Sequence, residues 1–269
     1  MRWDRNYSSS NIEDHRGDSG GAGLLGNGGG GGLFLIIRLL SMFGWKGLLV
    51  GLVIGGAVMA GGRCTNLGST SHHQVVSSQQ ETEMVHRIGY VFDDVQNSWK
   101  AQMPNYENTH LVLFRNRYPS ACGTATSAVG PFYCPVDHKV YIDLGFYDEL
   151  SRRFGAPGEF AQAYVIAHEL GHHVQNQRHL LGGGAAESVH VELQADCFAG
   201  SWAKDADRRG IIEAGDIDQA LNAASQIGDD TLQKKATGHV QPERFTHGTS
   251  AQRRASFQKG YDGGASACL

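Results

Sequence analysis

The sequence has no excess of positive charge. Its 269 residues carry 23 Lys and Arg against 27 Asp and Glu, for a net charge of -4 and a pI near 6.3. It therefore lacks the basic footprint on which nucleic-acid binding depends. Its five cysteines, Cys64, Cys122, Cys134, Cys197 and Cys268, include no C-x-x-C pair, which argues against a cysteine zinc cluster. Long uncharged apolar runs are also scarce, and the one that follows Lys46 has 16 residues. With 41% hydrophobic residues the chain still has enough apolar material for one globular domain and additional segments.

What is present centres on residues 161–177, AQAYVIAHELGHHVQNQ. Here His168, Glu169 and His172 form H-E-x-x-H. On a helix, residues i and i+4 lie about 6 Å apart on one face, so two imidazole nitrogens can converge on one ion at about 2.1 Å each. Glu169 points about 100° round the helix. There it can act as general base for a zinc-activated water attacking a peptide carbonyl. Chance supplies on the order of 0.03 such motifs in a chain of this composition, so context decides. The segment has no Pro, and Phe160, Ala161, Tyr164, Val165, Ala167 and Leu170 support an amphipathic helix. Small Gly171 lets another element approach the metal face.

A catalytic zinc takes three protein ligands and keeps one position open. The long metzincin continuation would need Gly at 175 and His at 178, where the chain has Gln175 and Arg178. Glu192 lies in V-E-L-Q-A-D on a second helix expected over 188–207, with Asp196 at i+4 on the same face. Glu192 is assigned as the third ligand, and Asp196 as the carboxylate that orients His168.

VIAHELGHHVQ, ELQADCFAG and FTHGTSAQR, together with CGTATSAVGPFYCP and VYIDLGFYDEL, resemble the neutral zinc metallopeptidases of bacteria, membrane-associated proteins of HExxH type. The likeness runs from MRW and NIEDHRG at the N-terminus to about Asp262. It implies a zinc peptidase with Zn2+ as cofactor and a peptide or protein as substrate. The implied fold is α+β, a mostly helical zincin-like domain with a small β-sheet. An edge strand, near 123–130 or at 140–143, would pair with an extended substrate backbone.

Residues 1–32 are polar and then glycine-rich, and read as a disordered cytoplasmic tail outside the fold. Residues 33–62 are apolar apart from Arg38 and Lys46. The run after Lys46 spans about 24 Å as helix. Snorkelling of Lys46 and the apolar residues before it extend that toward the roughly 30 Å of a bilayer core. The stretch reads as a single-pass transmembrane anchor, in preference to a cleaved signal peptide or a buried core helix. Arg2, Arg5, Arg16, Arg38 and Lys46 precede the run and Arg63 follows it. The positive-inside rule then puts the N-terminus in the cytoplasm and the catalytic domain on the extracytoplasmic, periplasmic side. Residues 63–82 read as a linker, 83–262 as the peptidase domain and 263–269 as a flexible C-terminus.

Within the domain, apolar spacing predicts a helix over 83–99, a strand at 110–114, and a hairpin of 132–133 with 140–144 turning at 135–138. In an oxidising compartment Cys122 and Cys134 would form a disulfide bracketing that hairpin. The pairing of Cys64, Cys197 and Cys268 stays open. A helix is expected over 216–227, with Asp216 as N-cap. The loop 238–252 leads into a last helix near Ser250 and carries His247, the candidate donor to the oxyanion of the transition state. The alternative is that His247 and Arg253 only pin this loop. Tyr141 and Tyr147 are further donor candidates. The expected function is a membrane-anchored zinc endopeptidase. Competing readings are a catalytically silent peptide-binding or scaffold protein on the same fold, and a zinc hydrolase of non-peptide amides. Glu169 favours an enzyme, because a structural zinc has no need of a carboxylate beside its ligand.

Overall fold

A computed structural model of the chain describes residues 1–18, 78–126, 129–152, 156, 158–182 and 185–269. The chain divides into two units, Met1–Gly20 with Val76–Leu269, and Gly21–Val75. The second unit, which contains the expected span 33–62, lies outside the described residues. Among the described residues no helix is long and apolar enough to cross a membrane.

The first element is a short strand, β1 (Ile12–Asp14). Helix α1 (Ser78–Gln102) comes next among the described residues, then β2 (His110–Phe114), β3 (Arg117–Ser120), β4 (Gly123–Thr126), β5 (Phe132–Cys134) and β6 (Lys139–Asp143). Helices α2 (Leu144–Arg152), α3 (Glu159–Gln177), α4 (Ala185–Arg208), α5 (Asp216–Gln226), α6 (Asp229–Thr237) and α7 (Ser250–Gly263) follow, and a 3-10 turn at Ala265–Cys268 ends the chain.

Four strands form a sheet in the order β1-β2-β6-β5, with β1 and β6 parallel to β2 and β5 antiparallel to β6. Side chains alternate across it, as the strand period requires. Leu111, Leu113, Val140 and Ile142 enter the core shared with the helices. Val112, Phe114 and Tyr141 face Ala125 and Tyr118 of the β3–β4 hairpin on the other side. The expectation of an edge strand at 140–143 is corrected, because β6 lies between β2 and β5. The outermost strand on that side is β5, which also packs on α3.

Residues 1–18 are not a disordered tail. β1 pairs with β2 in the register Ile12↔Leu111, Glu13↔Val112, Asp14↔Leu113. Around it the Tyr7 hydroxyl and Asn11 Nδ2 donate to Asp93 at 2.8 and 2.6 Å, Arg16 meets Glu81 at 2.7 Å, and Lys139 meets Glu13 at 2.7 Å. Charge pairing, which hydropathy patterns do not register, fixes this segment. The linker expectation also ends early, since α1 starts at Ser78. Residues 263–269 are not a flexible end, because Cys268 is buried and bonded to Cys197. The helix expected over 216–227 is capped by Gly215 at φ 89°, while the Asp216 carboxylate accepts from the Glu213 N–H.

Helix α3 is buried on nearly every side because α1, α4, α5 and β5 surround it. Helices α4 and α7 approach so closely that only glycine fits where they meet. A Cβ on Gly200 would lie 1.9 Å from the Phe257 carbonyl oxygen, and one on Gly260 would lie 1.8 Å from that of Cys197. We expect Gly260→Ala to force the two helices apart and destabilise the fold by about 1–3 kcal/mol. An unchanged thermal unfolding midpoint would disprove the close crossing.

Candidate metal centre

Three side chains from two helices meet at one point. His168 and His172 lie one turn apart on α3, and Glu192 faces them from α4. Gly171 permits the approach, since a Cβ there would already lie 3.0 Å from the Ala195 carbonyl oxygen. His168 Nε2 is 3.2 Å from His172 Nε2 and 3.1 Å from Glu192 Oε2, and His172 Nε2 is 3.5 Å from Glu192 Oε1. Ligands about 2.05 Å from a tetrahedral zinc are separated from one another by about 3.3 Å. The two imidazole nitrogens stand at about that edge length, and Glu192 turns one oxygen toward each of them, so the three side chains converge on a common point.

The opposite ring nitrogens decide which atoms face the ion. Asp196 is an acceptor only, so it takes the proton on His168 Nδ1, at 2.8 Å. The Gln175 amide donates to the Val191 carbonyl at 2.7 Å, which turns its Oε1 toward His172 Nδ1 at 2.8 Å. Both Nε2 atoms therefore point at the centre. Two imidazoles and a carboxylate arranged in this way are a zinc donor set, and three protein ligands leave the fourth tetrahedral position to a non-protein group.

Behind the ligands lies a fully buried polar cluster. Asp196 accepts from Arg253 Nε and Nη2 of α7 at 2.8 and 3.0 Å, and from the Tyr164 hydroxyl. Burial alone would raise the Asp196 carboxyl, but Arg253 and His168 outweigh it and hold the group down to about 2. Burial likewise opposes charge on His168, yet Asp196 on one side and Glu192 on the other push its metal-free imidazole up to about 10. Burial of Glu192 is overcome by hydrogen bonds from both imidazoles, which lower it.

A family model described as "Putative neutral zinc metallopeptidase" matches residues 1–268. The chain belongs to this family. It is 41% identical over 289 aligned positions to "Uncharacterized protein YpfJ" of Escherichia coli (strain K12), covering 98% of this chain and 96% of that one. It is 42% identical over 196 positions to "Uncharacterized protein Mb2605" of Mycobacterium bovis, covering 66% of this chain and 67% of the relative. A Mycobacterium tuberculosis relative, "Uncharacterized protein Rv2575", matches to the same extent. No solved structure matches the chain.

In this member of the family, Glu169 sits on α3 with a relative exposure of 6%. His247 is not drawn into the ligand group. Its Nδ1 lies 3.1 Å from Asp229 Oδ1 and 2.9 Å from Thr246 Oγ1. Its loop nevertheless packs on α4 beside Glu192, because Ser188 donates to the Thr246 carbonyl and Gly248 faces Val189 and Leu193. Tyr141 donates to Asp137. The Tyr147 hydroxyl is buried with no partner among the described residues, and burial raises it. Cys122 and Cys134 are joined by a disulfide that ties β5 to the turn after β3. Gln175, Gln194, Tyr164 and Arg253 carry supporting roles that the sequence reading did not assign. For Gln175 a local signal existed, its i+3 spacing from His172.

Because the metal-free His168 holds its proton until about pH 10, zinc must displace that proton. Apparent zinc affinity is thus expected to rise about tenfold per pH unit between pH 7 and 9, with about one proton released per ion. Chelator competition across that range checks this, and a flat profile would contradict it.

Proposed function

We propose that the chain is a zinc-dependent peptidase that hydrolyses peptide bonds with Glu169 as general base. One observation carries this reading. Glu169, the residue after His168 on α3, is a largely buried carboxylate for which, among the described residues, no hydrogen bond from the protein is found. A structural metal site has no use for such a group, whereas a hydrolase needs an uncommitted base next to its ligands. Bound zinc would supply Lewis-acid activation of water and of the carbonyl.

Glu169 then takes the proton from the attacking water and hands it to the leaving amine. As charge develops on the carbonyl oxygen, His247 donates to it from the loop beside Glu192. The Asp229 carboxylate at Nδ1 supports that role by holding the imidazole in place. β5, the outermost strand on the β6 side of the sheet among the described residues and packed on α3, is the strand proposed to pair with an extended substrate backbone.

Glu169→Gln is expected to keep zinc and lower kcat by about 10²–10⁴-fold on a peptide library. In the same assay His247→Ala should lower kcat with zinc content unchanged, by about 10²-fold. Cleavage by Glu169→Gln at the parent rate would refute the base assignment. Equal kcat for His247→Ala would remove His247 from the chemistry.

We further infer that the domain works outside the cytoplasm, at a membrane. The Cys122–Cys134 and Cys197–Cys268 disulfides support an oxidising compartment, and the apolar stretch 33–62 supports membrane attachment. Residues 1–18 share a folded unit with the metal centre, so both are read as lying on the same, extracytoplasmic side; a single pass through 33–62 would separate them, and the single-pass expectation gives way to attachment without a net crossing. A cysteine introduced at exposed Ser10 should react with an impermeant maleimide in bacterial spheroplasts. Labelling only after lysis would return the N-terminus to the cytoplasm.

A further inference from the structure

The ring nitrogens of His168 and His172 that face away from the centre both lead to the same part of the molecule, the C-terminal segment. From His168 the path is short, through Asp196 to Arg253 of α7. From His172 it passes along two glutamines. His172 Nδ1 donates to Gln175 Oε1 at 2.8 Å, and Gln175 Nε2 donates to Gln194 Oε1 at 3.0 Å. Gln194 Nε2 in turn donates to the carbonyl oxygen of Cys268 at 2.9 Å. A carbonyl only accepts, so Val191 at 2.7 Å fixes the Gln175 amide and Cys268 fixes that of Gln194, and the two set the same polarity along the chain. Each amide has one orientation left to it, and His172 must carry its proton on Nδ1. Gln175 is fully buried, so no water competes for its oxygen.

Cys268 is itself fixed by its disulfide to Cys197, the residue after Asp196 on α4. The terminal turn that supplies the carbonyl therefore depends on this bond for its position. We propose that Gln175 and Gln194 are positioning residues for His172, and that the Cys197–Cys268 disulfide sets zinc affinity through them by fixing the Cys268 carbonyl. This rests on the reading of His168, His172 and Glu192 as the zinc ligands. It assigns to the C-terminal disulfide a role in metal binding beyond holding the fold.

The test uses the full chain purified in detergent, with zinc dissociation constants from chelator competition and the visible absorption bands of the Co2+-loaded protein. Gln194→Leu leaves the disulfide intact and should weaken zinc binding about 10-fold or more and shift the cobalt bands. Cys197→Ser with Cys268→Ser should do the same. The three substitutions together should be no weaker than either alone, since both act on one path. Unchanged affinity and cobalt bands in Gln194→Leu overturn the proposal, even if the cysteine variant fails to fold. Strictly additive losses also overturn it. A parent protein that is folded but binds no zinc would instead refute the ligand assignment on which the proposal stands.

Discussion

Three helices are held to one another by a single carboxylate with no solvent exposure. Asp196 of α4 receives His168 and Tyr164 from α3 and a two-point contact from Arg253 of α7. Burying an ion pair costs so much desolvation that apolar residues of similar volume are often as stabilising. What they cannot do is fix direction. Asp196 converts the packing of α3, α4 and α7 into one tautomer and one orientation of a ligand imidazole. The fold and the metal centre therefore share the same residue, and neither can be altered there without the other.

The glycines between α4 and α7 serve the same arrangement. Contacts at Gly200 and Gly260 leave no room for a methyl group, so the distance between the two helices is set by backbone atoms instead of adjustable side chains. Arg253 reaches Asp196 across that fixed distance.

The parts of this site readable from sequence are those whose partners lie within a few residues. His168, Glu169 and His172 follow the helical period, and Glu192 is marked by Asp196 one turn on. Arg253 lies 57 residues beyond Asp196, and Gln194 meets Cys268 across 74, so no local spacing joins either pair. Gln175 shares the His172 face, but glutamine carries no chemical signature that separates a buried relay from a surface residue. The sheet order was hidden for a related reason, since β6 inserts between β2 and β5 only after a crossover. β1 gives no hydrophobic alternation to detect, being three residues of which two are acidic, while its parallel pairing, the Glu13–Lys139 ion pair and the neighbouring Arg16–Glu81 pair are visible only in space.

That strand has a consequence for how the protein can be processed. β1 covers the outer edge of β2, whose backbone groups would otherwise be open to any passing strand. A proteolytic cut followed by loss of residues 1–18 would bare the longer edge of β2, a row of backbone groups open to pairing with another chain. The segment upstream of the apolar stretch is thus part of the folded sheet, and a trimmed form of the protein would lack the strand that covers β2.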